Sequence, residues 1–393
     1  MEVKFALSDL FNFKGFSIKG ILKDFDRMIM NFKRRNKTGI CPVCNKKRRK
    51  PLEKKVRIIR ESHLVGQKCY IRVQAFRIKC SCGYVGMEKL TFAQIEKRYT
   101  DRFAKYVYSL CEKMSLTDAA KAAQINWRTA KKLDKLILKE KFKDLKDVNP
   151  TRIGVDEIAH EKGHKYLTIV RDVDKGVIWV GEGRKKEVLD KFFQELGKEK
   201  CMRITVAVID MWDPYIKSIK ENTNAEIVFD KFHIAKKINE AVDKIRKEEF
   251  AKADKRERIM MKHKRFLILA RQKRLDDGKR EELNELLKLN KSLSEAYLLK
   301  EQILDIFDEK DIEIAIKRFK SWKKNVHKSN FSEFEQVLKT METYWYGIEN
   351  YFKHHVTNGA SEGYNNKIGL IKRRAFGFRD IEYLKLKILQ ICS

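Results

Sequence analysis

Three carboxylates carry the chemistry that this sequence suggests. Asp156 and Asp210 each end or interrupt an apolar, strand-like segment, Arg152-Ile-Gly-Val-Asp156 and Ile204-Thr-Val-Ala-Val-Ile-Asp210. Glu362 stands among small polar residues in Thr357-Asn-Gly-Ala-Ser-Glu362-Gly-Tyr-Asn-Asn, and the basic run Lys372-Arg373-Arg374 follows. Two-metal phosphoryl transfer needs carboxylates that converge on two cations ~3.5–4 Å apart. Strand ends hold side chains rigidly, so Asp156 and Asp210 can meet if their strands are neighbours. Acids alone are a weak signal in a chain with 55 of them. Asp172, Asp174, Asp213 and Asp230 compete for the role, and the plain alternative for each is a turn or a helix cap.

The surroundings favour a polyanionic substrate. The 393 residues carry 88 Lys and Arg against 55 Asp and Glu, a formal net charge of +33. Such a charge favours phosphate contacts with release of counterions. A lysine-rich composition alone would explain many of these residues, but not their clustering beside the acid motifs. The charge argues against a paired-carboxylate hydrolase acting on a neutral glycan. With 43% hydrophobic residues and only 4 prolines, the chain is expected to fold. No run approaches the roughly 18 apolar residues of a membrane span, and the N-terminus lacks a signal-peptide pattern. A cytoplasmic, nucleoid-associated protein without membrane contact is expected.

The elements that must position the acids can be read from periodicity. Arg152–Asp156, Tyr166–Val170 and Gly176–Val180 read as three short strands separated by Gly and Asp turns. Lys185–Leu196 is an amphipathic helix with Val188, Leu189, Phe192, Phe193 and Leu196 on one face. Ile204–Asp210 is a buried-type strand, 211–221 a helix, 225–230 a fifth strand, and 233–249 a long helix. Three strands, helix, strand, helix, strand, helix is the order of a ribonuclease-H-like core. Residues 250–340 carry Lys, Arg, Glu and Leu at helical spacing and read as an all-α insertion. The expected organisation is α/β and multidomain. Residues 1–35 form an N-terminal segment, 36–95 a small zinc-binding domain and 96–149 a helix-turn-helix region. Residues 150–249 form the first part of a mixed-sheet core, 250–340 its insertion and 341–393 its last part. The step Asn149-Pro150 is a natural linker, because proline ends a helix.

Four of the 8 cysteines fall in two close pairs, which points to a metal site in a reducing compartment. Cys41-Pro-Val-Cys44 is a C-x-x-C knuckle and Cys80-Ser-Cys82 a tighter C-x-C pair. Four thiolates can close a tetrahedral structural Zn²⁺ site, which would hold together a domain whose own core is thin. Cys69 or His63 is an alternative ligand, and scattered free thiols are the plain alternative. The run Lys46-Lys47-Arg48-Arg49-Lys50 is either a DNA-facing edge or a solvated loop. Further on, 115–133 has the length of a helix-turn-helix. Ser115 with Asp118 caps a first helix, three alanines allow close approach, and Asn126 caps a second. That second helix presents Trp127, Arg128, Thr129, Lys131 and Lys132, residue types that reach phosphates and base edges. The turn lacks the frequent glycine, and an ordinary helical hairpin is the alternative.

Four segments in order give a resemblance. They are Gly154-Val-Asp-Glu-Ile-Ala159, Val208-Ile-Asp-Met-Trp-Asp213, Asp230-Lys-Phe-His233 and Thr357-Asn-Gly-Ala-Ser-Glu-Gly-Tyr-Asn-Asn-Lys-Ile368, with Lys372-Arg-Arg-Ala-Phe-Gly-Phe378 beyond. Together they resemble the DDE transposases of the bacterial ISL-three family, over nearly the whole chain. The resemblance implies that Asp156, Asp210 and Glu362 are the catalytic carboxylates, holding two Mg²⁺ or Mn²⁺ ions. It implies that Asp230 and His233, a D-x-x-H signature, support the core. It further implies cleavage of insertion-element ends and joining of the freed 3′-hydroxyl to target DNA. The partners would be double-stranded DNA and a second copy of the chain, in a dimer or higher oligomer. Cys41, Cys44, Cys80 and Cys82 are the zinc ligands on this reading, although the family's second pair is usually wider. Lys372, Arg373 and Arg374 join Trp127, Arg128, Lys131 and Lys132 as DNA contacts. Trp212 and Trp345 could stack on an unpaired base, with buried core the plainer reading for both. The alternative function is a non-catalytic DNA-binding regulator built from residues 1–148.

Overall fold

The computed structural model describes residue 11 and residues 13–393 apart from 162, 164 and 376; the side chains of 24 and 360–362 are outside the described set. It is a mixed α/β chain in two compact units, one of residues 1–143 and 369–391, the other of 144–368 and 392–393. No described helix is long and apolar enough to cross a membrane.

The first unit is built on a sheet ordered β1-β2-β6-β5. Its strands are β1 (Phe16–Asp24), β2 (Arg27–Arg34), β5 (Glu53–Leu64) and β6 (Gln67–Lys79). The small hairpin β3 (Gly39–Ile40) and β4 (Lys47–Arg48) lies between them in sequence, and β7 (Val85–Met87) pairs with β6. Alternation along β6 buries Cys69, Ile71, Val73 and Ala75 against Met30, Phe32 and Ile59. The sheet therefore begins at residue 16, ahead of the expected boundary at 36. Three helices follow: α1 (Asp101–Lys113), α2 (Leu116–Ala122) and α3 (Trp127–Lys141). Ala119, Ala120, Ala123 and Ala130 are buried where these helices meet, so small side chains permit the close approach.

The second unit holds the sheet β10-β9-β8-β11-β12. Its strands are β8 (Arg152–Glu161), β9 (Lys165–Asp172), β10 (Gly176–Glu182), β11 (Val206–Ile209) and β12 (Glu226–Phe229). The first three are antiparallel; β11 runs parallel to both β8 and β12. One face carries Ile153, Val155, Ala207, Ile209, Ile227 and Phe229, packed on α4 (Lys186–Leu196) and on α6 (Asp213–Asn222), beyond the short α5 (Lys198–Cys201). The other face carries Val206, Val208 and Val228, packed on the long helix α7 (Lys231–Lys252). Period two along a strand sets this division.

The insertion is helical, as its spacing predicts. It comprises α8 (Lys255–Met261), α9 (Arg265–Leu269), α10 (Asp277–Leu289), α11 (Lys291–Ile306), α12 (Ile312–Ser329) and α13 (Ser332–Thr343). Its apolar residues share one core with Ile234, Ile238 and Val242 of α7, so it is continuous with the sheet's packing. The chain returns through α14 (Trp345–His354) and α15 (Gly359–Arg374) to α16 (Ile381–Cys392). Leu138 of α3 is buried with Tyr383 and Leu386 of α16 in the first unit.

Candidate active site and metal centre

The parity of the strands brings two of the expected acids together. On β8, Ile153 and Val155 face α4 and α6, so Asp156 faces α7. Val208 of β11 pairs with Gly154 of β8 in parallel register. Two residues on, the same register sets Asp210 beside Asp156 on the same face. A cleft of about 260 Å³ opens there, walled by Asp156, Asp210, His233, Lys236, Lys237 and Glu240.

Each group has a definite electrostatic setting. Burial, and next the Asp210 carboxylate, raise the Asp156 carboxyl above its ordinary range. Asp156 accepts from the Glu157 amide at 2.7 Å and from Asn365 Nδ2 at 3.2 Å. His233 Nε2 lies 2.7 Å from Asp210 Oδ1. Contact with that oxygen, and the Asp210 charge beside it, both favour the protonated ring. Facing Asp210, the His233 imidazole is held above its ordinary pKa. Asp230 caps α7, accepting from the Phe232 amide at 3.1 Å, and burial raises its carboxyl. Asp230 and His233 thus seat the first turn of α7 against the acids.

Glu362 lies in the first turns of α15, and its side chain is outside the described residues. The segment before it is anchored firmly. Buried Arg171, on β9, donates through Nε to Asn358 Oδ1 at 2.8 Å, through Nη2 to the same oxygen at 2.6 Å and to Thr357 O at 3.1 Å. Asn358 Nδ2 reaches Val155 O at 3.5 Å, the residue before Asp156. Gly154 leaves room for this pair: a Cβ there would meet Arg171 Nε at 2.6 Å and Asn358 Oδ1 at 2.7 Å. Sequence reading did not single out Arg171, Asn358, Asn365 or Gly154. A signal existed for Arg171, a charge closing the apolar run Leu167-Thr-Ile-Val170.

Trp212 departs from its expected place in the core. Its amide donates to Asp210 O at 2.7 Å, a tight turn that leaves the indole 38% exposed. Trp345 stacks on Phe319, centroids 4.1 Å apart, as a packing residue.

In the first unit, Cys41, Cys44, Cys80 and Cys82 bring their Sγ atoms within 4.8 Å of one another, the one such cluster among the described residues. Cys41–Cys82 and Cys44–Cys80 are 3.7 and 3.4 Å apart. A tetrahedron with Zn–S of about 2.3 Å has edges of roughly 3.8 Å, so the four thiols fit zinc. The tight C-x-C pair is accommodated because Gly83, at φ +90, turns the chain back so that its amide meets Cys80 O at 3.0 Å. The Cys82 amide, and Arg48 after it, pull the Cys80 thiol down to about 5. Cys69 is buried in the sheet core and His63 sits against Arg60 and Tyr106, so neither joins the cluster. Arg48 donates through Nε to Cys80 Sγ at 3.2 Å and through Nη2 to Ser81 Oγ.

The two helices expected within 115–133 form as α2 and the start of α3, each with its expected cap. Ser115 accepts from Asp118 N at 3.2 Å and Asn126 from Arg128 N at 2.8 Å. Gln124, at φ +51, stands where glycine is frequent. Trp127 and Arg128 are exposed on α3, the guanidinium 5.5 Å from the ring. Lys131 and Lys132 are not free: Lys131 pairs with Asp380 at 2.9 Å and Lys132 with Glu96 at 2.5 Å. Lys372, Arg373 and Arg374 form the last turn of α15, where Arg374 Nη2 donates to Lys113 O at 2.7 Å.

The comparisons agree on one family. A family model for transposases, of the DDE class and ISL-three type, matches residues 153–388. The chain is 30% identical over 358 residues to the transposase for insertion sequence element IS1001 of Bordetella parapertussis, covering 90% of this chain and 88% of that one. It is 26% identical over 343 residues to the transposase for insertion sequence element IS1557 in two strains of Mycobacterium tuberculosis, covering 80% and 77%.

Proposed function

We propose, for a chain that belongs to the ISL-three family of DDE transposases, that it cuts the ends of an insertion element and joins them to target DNA. The observation that carries this reading is the pair Asp156 and Asp210, side by side on one sheet face beneath a cationic cleft wall. The strand order, three antiparallel strands and two parallel ones, supports a ribonuclease-H-like core.

Asp156 and Asp210, with Glu362 from α15, are assigned as the catalytic carboxylates. Two like charges in a partly buried site call for a counter-charge, and Asp210 Oδ1 retains an unfilled acceptor direction. The donor set therefore fits divalent cations such as Mg²⁺ or Mn²⁺. When bound, such ions supply Lewis-acid activation of the attacking and leaving oxygens. The protein's own part is positional and electrostatic. Lys236 and Lys237 attract the scissile phosphodiester and offset its charge. His233 and Asp230 hold α7 in register with the acids. The Arg171–Asn358 pair fixes the segment that brings Glu362. Zn²⁺ on the four cysteines would be structural, holding the N-terminal sheet to its knuckles. The helix-turn-helix would read element ends through Trp127 and Arg128, and the basic turn Lys372–Arg374 would add phosphate contacts. Pairing of two ends calls for a dimer or higher oligomer.

The test is cleavage of an end-labelled duplex carrying the DNA that flanks this gene, with Mg²⁺ or Mn²⁺. Wild type should nick one discrete position. Asp156→Asn, Asp210→Asn and Glu362→Gln should each bind the duplex as wild type does and lose nicking by at least about 100-fold. Equal cleavage by these variants would overturn the assignment.

A further inference from the structure

Beside the acid cleft lies a second, larger hollow of about 870 Å³. Trp212 lines both. Its turn onto Asp210 O ties the hollow's mouth to the reacting acids. Within the hollow, Arg184 is held between two rings, 4.3 Å from the Tyr166 centroid and 5.1 Å from that of Trp212. Trp212 Nε1 donates to Arg184 O at 3.2 Å, which fixes the indole's orientation. Arg184 also reaches Glu157 at 3.4 Å, the neighbour of Asp156. Lys185 and Lys217 line the hollow and have no ion pair among the described residues. His160, 9% exposed, lines it with a buried Nδ1 that lacks a hydrogen-bond partner.

A flat exposed indole, a clamped guanidinium and two uncommitted ammonium groups form an unusual lining. An apolar ligand would leave the cations unsatisfied. A bare phosphate would make no use of the rings. A nucleotide uses both: its base has a π-face to stack, and its backbone carries the charge. A paired base cannot offer that face.

We propose that the hollow of Tyr166, Arg184 and Trp212 receives one unpaired nucleotide of the DNA strand, adjoining the phosphodiester held over Asp156 and Asp210. The proposal rests on the transposase reading for its substrate and goes beyond it in naming a separate nucleotide site. Trp212 stacks on the base. Lys185 and Lys217 meet the flanking phosphates. The Arg184–Glu157 contact couples occupancy of the hollow to the strand that bears Asp156.

The experiment uses the full chain and a single-stranded oligodeoxythymidylate carrying one central 2-aminopurine, without divalent metal. Wild type and Asp156→Asn should quench the probe alike, since stacking precedes chemistry. Trp212→Ala should lose the quenching and bind about 10-fold more weakly, the scale of one stacked base. Trp212→Phe should recover most of the affinity, which separates loss of stacking from misfolding. Phe25→Ala, an exposed aromatic of the other unit with no assigned role, should leave the quenching unchanged. Equal quenching and affinity in wild type and Trp212→Ala would overturn the proposal, as would loss of quenching in Phe25→Ala alone. Cleavage of the flanking duplex is scored separately. If Asp156→Asn cuts as wild type does, the catalytic assignment falls, while the quenching result still decides the hollow.

Discussion

Gly154→Ala is the sharpest probe of how the acids are held. The backbone at Gly154 is one that any residue adopts, so the glycine serves space alone. An added Cβ would lie 2.6 Å from Arg171 Nε and 2.7 Å from Asn358 Oδ1. Neither neighbour can retreat cheaply. Arg171 is 2% exposed, and its hydrogen bonds to Asn358 and Thr357 are its means of burial. Overpacking of this kind costs about 1–3 kcal/mol. A hydrogen bond from a charged donor is worth about 1.5–3 kcal/mol, and more is lost if the charge stays buried alone. A net loss of about 2–4 kcal/mol follows, because the methyl and the guanidinium compete for one space. In a unit of this size each kcal/mol moves the midpoint by about 2–4 °C, so a fall of roughly 5–15 °C is expected. Gly278, near the start of α10, is the internal contrast: its Cβ would come no nearer than 3.8 Å to any atom. Gly278→Ala should stabilise the same unit by about 0.5–1 kcal/mol. Melting followed by circular dichroism reads both. The cycle Gly154→Ala with Asn358→Ala should lose less than the sum of its parts, because both act on one network. A Gly154→Ala midpoint within a degree of wild type would refute the reasoning.

Other outcomes follow from the first unit. Gln124→Gly should stabilise this unit by about 1 kcal/mol and raise its midpoint, by relieving a left-handed backbone conformation; a lower midpoint would mean that the Gln124 side chain is needed. A strong chelator, or Cys80→Ser, should release close to one zinc per chain by colorimetric assay and lower that unit's stability, whereas Cys69→Ser should keep the metal. Asp380, held by Lys135 and Lys131, has its carboxyl well below the usual range. A depressed carboxyl stabilises fully above its unfolded value near 3.8 and loses that contribution as pH falls through the folded value. Asp380→Asn should therefore lower the midpoint at pH 6, by a difference that shrinks steadily as pH falls below about 3.8. A difference that persists unchanged to pH 2 would exclude the ion pairs as its source.

The legible parts of the fold were those with strong periodicity. The five strands and intervening helices of 152–252 stand within a few residues of their expected spans, since apolar alternation and amphipathic faces are local signals. The insertion's helices were legible for the same reason. The juxtaposition of Asp156 and Asp210 also followed from strand parity, once the order of strands was guessed. What the sequence hid was carried by single side chains reaching across the fold. Arg171 and Asn358 are 187 residues apart, and no spacing rule joins them. The pairings of Lys131 with Asp380 and of Lys132 with Glu96 are likewise non-local, so lysines expected on a DNA-facing helix prove to be partly spent on their own chain. Trp212 was misread as core because composition cannot show that a two-residue turn expels an indole.

The last helix has a consequence for synthesis. Tyr383 OH donates to buried Asp134 at 2.5 Å, and Lys387 Nζ donates to Cys111 O at 2.9 Å. Both partners lie on helices that leave the ribosome more than two hundred residues earlier. Until translation reaches α16, Asp134 and Leu138 lack their covering, so the first unit is completed only after residue 381 has been made. A nonsense fragment ending before residue 381 thus leaves the first unit incomplete. Chain order itself makes that unit's completion contingent on having already made Asp156, Asp210 and Glu362.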